Sequence, residues 1–103
     1  MKILITGGAG LMGKQHAMAV AEAGGQPILI DIDGQSAKEV ANEVEIEHNI
    51  PVMVYVCDIT DEQSLLNCRK TILREKGRID GLINNAANNE KMEEGAAPSP
   101  TSL

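Results

Sequence analysis

The sequence contains no tryptophan and no phenylalanine, and Tyr55 is its only aromatic residue. Any core must therefore be aliphatic, built from Ile, Leu, Val, Ala and Met, which suits a parallel sheet covered by helices. Positive charge is also scarce: nine Lys and Arg stand against fifteen Asp and Glu, a net charge of −6. That balance argues against a nucleic-acid backbone or an anionic membrane as partner, because either needs a basic patch. The two cysteines, Cys57 and Cys68, lie eleven residues apart without a CxxC pair or a histidine at ligand spacing. This excludes a zinc site or redox motif and predicts buried, reduced thiols in a reducing cytoplasm. No long hydrophobic run opens the chain, since Ile3, Leu4 and Ile5 lead straight into Thr6-Gly7-Gly8. The expectation is no signal peptide, no membrane span and a true N-terminus at Met1-Lys2. At 103 residues the chain makes one domain at most, and folding at that size still leaves roughly a third of the unfolded surface exposed.

What the sequence does contain is an alternating pattern. Residues 3–6 form a short apolar run, and a helical stretch follows over 11–23, with Met12, His16, Ala19, Val20 and Ala23 on one face. Gly24-Gly25 stops it. Residues 27–31 read as a second buried strand, and 36–48 as a helix with Ala37, Val40, Ala41 and Val44 inward. Residues 51–56 are β-branched enough for a third strand, and Thr60 or Asp61 caps a third helix whose stripe is Leu65, Cys68 and Ile72. Residues 79–84 make a fourth strand. The alternation predicts an α/β fold, a partial Rossmann (doubly wound) sheet of parallel strands in the order 3-2-1-4 with three helices. The unit should span 1–87. Residues 88–103, with two prolines and no periodicity, read as loop or disordered tail. Two helices should cover one face of the sheet and one helix the other, leaving strand 4 (Ile79, Leu82, Ile83) as an apolar edge. Such an edge invites self-association and implies marginal stability.

Between the first strand and the first helix stands Thr6-Gly7-Gly8-Ala9-Gly10-Leu11-Met12-Gly13. Glycines at 7, 10 and 13 in this context form a turn that lets the backbone approach a pyrophosphate, while unpaired N–H groups opening the helix at Leu11 and Met12 face its charge. Asp31 follows Gly13 by eighteen residues, near the ~20-residue offset of a carboxylate that accepts from an adenosine ribose. NAD is the expected cofactor and NADP the less favoured one, because a 2′-phosphate would meet Asp31 with like charge and neither Ile32 nor Gly34 offers an arginine. Lys14 is the counterweight. Asp33 reads better as a helix cap, His16 as a packing residue, and His48 as a complement to its helix dipole. Glu39, Glu43, Glu45 and Glu47 read as a solvated face.

These residues resemble the N-terminal part of the short-chain dehydrogenase/reductase family. The likeness rests on the glycine segment, Asp31, Cys57-Asp58-Ile59-Thr60-Asp61, and Asp80-Gly81-Leu82-Ile83-Asn84-Asn85-Ala86-Ala87, in family order over residues 1 to about 87. It implies that Asp58 hydrogen-bonds the adenine amino group, that Ile59 packs beside its ring, and that Asn85 and Ala86 line the path of the cofactor ribose. The glycine spacing resembles the family's longer, sugar-nucleotide-acting branch, whereas Asn84 to Ala87 resembles its compact reductases, most of all those linked to bacterial surface-sugar or flagellin modification. The family's reaction is hydride transfer between nicotinamide and an alcohol or carbonyl, with a tyrosine as acid/base and a lysine lowering its pKa. Its catalytic Ser and Tyr-x-x-x-Lys lie beyond strand 4, and Tyr55 has Ile59, not lysine, four residues on. The expectation is therefore a cofactor-binding half without catalytic residues and inactive alone. The alternative is a non-catalytic NAD-sensing or protein-interaction module.

Overall fold

The computed structural model describes residues 1–85, so the expected tail at 88–103 lies outside the described residues. Seven elements alternate: β1 (Lys2–Thr6), α1 (Leu11–Glu22), β2 (Gln26–Asp31), α2 (Gly34–His48), β3 (Met53–Val56), α3 (Glu62–Lys76) and β4 (Gly81–Asn84). The strands form one sheet in the order β3-β2-β1-β4, and every pairing is parallel, with Leu4 opposite Ile28 on one side and Leu82 on the other. This is the doubly wound order expected from right-handed crossovers. Among the described residues, no helix is long and apolar enough to cross a membrane.

Alternate strand residues feed two apolar layers. Ile5 and Leu29 pack with Ala17, Ala21, Val40, Ala41 and Val44 of α1 and α2, whereas Leu4, Ile28 and Ile30 pack with Cys57 and Ile72 beneath α3. The second layer is thinner. Ile72 is the only fully buried residue of α3, while Leu66, Leu73 and Leu82 are 46%, 42% and 44% exposed. Cys57 is buried and Cys68 half-buried, both as free thiols.

Several boundaries differ from the sequence pattern, each for a local reason. β3 begins at Met53 because Pro51 has no N–H and the Val52 N–H donates to the Glu45 carboxylate (2.8 Å). β4 begins at Gly81, since Asp80 is tied to β1 by its own exchange: its N–H donates to the Lys2 carbonyl (2.8 Å) and its carboxylate accepts from the Lys2 N–H (2.7 Å). α2 starts at Gly34 because Asp33 is its cap, accepting from the Ser36 N–H and hydroxyl (3.1 and 2.8 Å). Asp61 caps α3 in the same way through Gln63 and Ser64.

The buried face of α1 is a correction to the sequence pattern. It runs through Gly13, Ala17 and Ala21, and Met12, Ala19 and Ala23 are exposed. The most apolar stripe lost to the smallest one, because this helix lies too close to the strand turn for larger side chains. His16 is half-buried in a shallow apolar groove beside Val20 and Ile83, in keeping with a packing role.

The Tyr55 hydroxyl donates to the Glu75 carboxylate (2.7 Å), joining β3 to the last turn of α3. Burial, then this hydrogen bond and charge, push the Tyr55 phenol up from 10.0 to about 12, and burial first, then Cys57, pushes the Cys68 thiol up to about 11. A raised folded-state pKa means that the unfolded chain loses its proton first. The Tyr55 contribution is then fully present below pH 10.0 and is lost as pH rises through about 12. Urea unfolding between pH 9 and 12 should show a falling midpoint, and Tyr55→Phe should flatten the part of that fall above pH 10.0.

Candidate functional site

β1 ends at Thr6 and the chain turns at Gly7, whose φ of 69° is in the left-handed region open to glycine. The backbone N–H groups of the turn then fall into two sets. Gly7 and Gly8 donate to the Ile30 carbonyl (2.9 and 3.3 Å) and Gly10 to the Gly7 carbonyl (3.3 Å), while Ala9 donates to Asp31 Oδ2 (2.9 Å). The first helical bond runs from the Lys14 N–H to the Gly10 carbonyl (2.9 Å), so the amides of Leu11, Met12 and Gly13 precede it and, among the described residues, are the open donors of the helix end. The side chains of Leu11 and Met12 are 73% and 50% exposed. Gly7, Gly8 and Gly10 thus shape the turn with their amides, and Leu11 and Met12 present theirs.

The glycines are not equivalent. A Cβ on Gly13 would lie 2.4 Å from the Gly7 carbonyl oxygen and 2.8 Å from Gly8 Cα, and one on Gly8 would lie 2.8 Å from Leu29 Cβ. Both are required by the packing of the protein itself. A Cβ on Gly10 would meet nothing nearer than 3.8 Å, and its backbone is extended (φ −83°, ψ 172°). Nothing among the described residues demands a glycine there; the space it leaves is at the mouth of α1.

Asp31 ends β2 beside this mouth. Its second carboxylate oxygen, Oδ1, accepts from the Asp33 N–H (2.9 Å). Asp33 is held by Ser36, whose backbone and hydroxyl bonds draw its carboxyl below the usual range. Lys14 pairs with Glu43 of α2 (3.1 Å), so its charge is engaged away from Asp31. Past β3, Asp58 Oδ1 accepts from the Thr60 hydroxyl and N–H (2.6 and 3.0 Å), bonds that lower its pKa, the hydroxyl's first. Among the described residues Oδ2 of Asp58 has no partner.

The strand ends enclose a cleft of about 750 Å³ bordered by Gly7, Asp31, Ile32, Asp58 and Ile59, within the usual range of ligand pockets. It continues under α3 past Arg69 to Leu82. Behind the turn, Asn85 is buried and donates to the Gly7 carbonyl (3.3 Å), and the Thr6 hydroxyl donates to Asn84 Oδ1 (3.1 Å). The structure thus brings Gly7, Gly8, Gly10, Leu11, Met12, Gly13, Asp31, Asp58, Ile59 and Asn85 to one end of the sheet. Ala86 lies outside the described residues. Ile32, which the spacing does not single out, also borders the cleft and is 66% exposed; the available signal is an isoleucine placed directly after a strand-ending carboxylate. Arg69 carried no signal, since only the fold of α3 brings it to the cleft.

A glycine turn leading into a helix, at the carboxyl end of the first strand of a 3-2-1-4 parallel sheet, defines a nucleotide-binding protein class, the doubly wound Rossmann type. The profile of the short chain dehydrogenase family matches residues 1–99, and the chain belongs to that family. It is 32% identical over 83 residues to 7alpha-hydroxysteroid dehydrogenase of Escherichia coli, covering 81% of this chain and 32% of that protein. Among solved structures it is similar to NAD+-bound xylitol dehydrogenase (30% identity, TM-score 0.74, 79% of this chain and 31% of that one). It also resembles the NADPH-dependent 3-quinuclidinone reductase of Rhodotorula rubra (30% identity, TM-score 0.71, 79% and 30%). The chain spans 25% to 33% of the length of the curated relatives compared.

The two glycine environments separate experimentally. Gly13→Ala should lower stability by roughly 1–3 kcal/mol through overpacking, whereas Gly10→Ala should stay within about 0.5 kcal/mol of the parent. Denaturation followed by circular dichroism measures both.

Proposed function

We propose that residues 1–87 form the nucleotide-holding unit of a NAD-dependent oxidoreductase. The observation that carries this reading is the sorting of the glycine-turn amides: those of residues 7 to 10 are bound within the protein, and those opening α1 are left for an anion beside Asp31. In this reading the pyrophosphate lies on the first turn of α1, against Leu11 and Met12, in the space that Gly10 keeps clear. Asp31 accepts from the adenosine ribose. Ile32 and Ile59 flank the adenine, Asp58 Oδ2 accepts from its amino group, and Asn85 and Ala86 stand beside the second ribose. When bound, the cofactor supplies the hydride exchange with an alcohol or carbonyl that relatives' names imply; the residues described here bind and orient it.

Charge supports NAD over NADP. A 2′-phosphate at Asp31 would face a carboxylate with Asp33 two residues on, and Lys14 is engaged by Glu43. The solved relatives include one that is NAD+-bound and one that is NADPH-dependent, so this preference is a property to be measured on this chain. Tyr55 is committed to Glu75 at the far edge of the sheet, which supports a structural role for this tyrosine. A cytoplasmic setting fits its free thiols. Among the described residues no strand pairs with the outer edge of β4, and Leu82 is 44% exposed, which supports self-association of the isolated chain.

Calorimetric titration tests the reading. NAD should bind at least about tenfold more tightly than NADP, a difference of about 1.4 kcal/mol, and Gly10→Ala should weaken NAD binding while leaving the fold intact. NADP binding as tightly as NAD would overturn the cofactor assignment. In sedimentation velocity the parent chain should associate with rising concentration and Leu82→Lys should shift it toward monomer; a parent that stays monomeric throughout would remove the edge from the proposal.

A further inference from the structure

The glycine turn is held from two directions. Its first half rests on the Ile30 carbonyl through Gly7 and Gly8. Its apex rests on a side chain: the Ala9 N–H donates to Asp31 Oδ2 (2.9 Å), across a sequence separation of 22 residues. The other oxygen of the same carboxylate takes the Asp33 N–H (2.9 Å), and Asp33 in turn caps α2 through Ser36 (3.1 and 2.8 Å). One half-buried carboxylate therefore joins the glycine turn, the end of β2 and the start of α2.

We propose that Asp31 is a positioning residue as well as a ribose acceptor: before any nucleotide binds, its carboxylate clasps the apex of the glycine turn at Ala9 to the cap of α2 at Asp33. The proposal rests in part on the cofactor reading above, but the clasp itself needs no cofactor. A carboxylate offers about four lone-pair positions. Two backbone N–H groups use two of them, and a ribose diol can take the others without releasing the turn. No uncharged residue can do the same. Asp31→Asn keeps one acceptor oxygen, so it can satisfy Ala9 or Asp33 but turns an NH2 donor on the other. Asp31→Ala and Asp31→Ser leave Ala9 without the charged acceptor.

Discrimination and grip are then properties of the same atom pair. Removing the negative charge to admit a 2′-phosphate also frees the loop that holds the pyrophosphate. The exchange of Asp31 for a small neutral residue should weaken NAD binding without raising NADP to the level at which the parent binds NAD.

Amide hydrogen exchange by NMR on the full 103-residue chain, without nucleotide, tests the clasp directly, with Gly7 as internal reference because its N–H ends on a backbone carbonyl. In the unsubstituted chain the Ala9 amide should exchange more slowly than those of Leu11 and Met12; equal exchange would overturn the proposal even if every variant failed to fold. In Asp31→Ala the Ala9 amide should accelerate by at least about tenfold relative to Gly7. An unchanged ratio, including one in which both amides speed up together, would overturn it. A slow Ala9 amide in a chain that fails to bind NAD would sink the cofactor reading and leave the clasp standing. In the binding arm, Asp31→Ser taking NADP as tightly as the parent takes NAD would disprove the coupling of grip to discrimination.

Discussion

The contact on which the site depends is the approach of α1 to the turn that precedes it. At Gly13 the helix backbone comes so near Gly7 and Gly8 that a single methyl group would lie 2.4 Å from a carbonyl oxygen. This closeness fixes the rotation of the helix and buries Gly13, Ala17 and Ala21. It also aims the first turn, and the amides of Leu11 and Met12 with it, across the carboxyl end of the sheet. Hydrophobic burial would have favoured another face of α1, with Met12 and Val20 inward; steric necessity at one residue outweighed it.

The sheet supplies the rest by register. Because β1 pairs with both β2 and β4 in parallel, Thr6 stands opposite Ile30 on one side and Asn84 on the other. Residues at or just past the strand ends, Gly7, Asp31 and Asn85, thereby reach the same rim. Polar bonds then lock the rim in place: Asn85 on the Gly7 carbonyl, Thr6 on Asn84, and Asp31 on Ala9. Buried polar groups that are satisfied in this way are costly to rearrange, which suits a surface that must keep one shape. Asp58 lies two residues past the next strand out, β3, and its Thr60 bonds leave one oxygen uncommitted among the described residues.

Order and type of all seven elements were legible in the sequence, because each is marked by its own period and punctuated by glycine or a capping aspartate. Their ends were less so. β3 and β4 are shorter than their apolar runs because Glu45 and Asp80 claim backbone groups that the pattern assigns to the ladder, and side chains reaching back over seven or 78 residues leave no periodic trace. Spacing alone points to the glycines and Asp31 as neighbours, and the fold places them at one end of the sheet. What spacing could not separate is which glycine serves the protein and which serves open space, since Gly8, Gly10 and Gly13 look alike until a Cβ is placed on each. Ile32 carries no spacing signal of its own, and only its exposure shows that it borders a cleft.

The junction of Tyr55 with Glu75 has an optical consequence. Tyr55 is the only tyrosine in a sequence without tryptophan or phenylalanine, and it sits where the edge strand meets the end of the thinly packed third helix. Near-ultraviolet dichroism, which reports fixed packing around aromatic rings, therefore comes from a single point of this molecule. Loss of that signal while far-ultraviolet helicity persists would register the detachment of α3 from the sheet, separately from the unfolding of the glycine turn and the two helices on the opposite face.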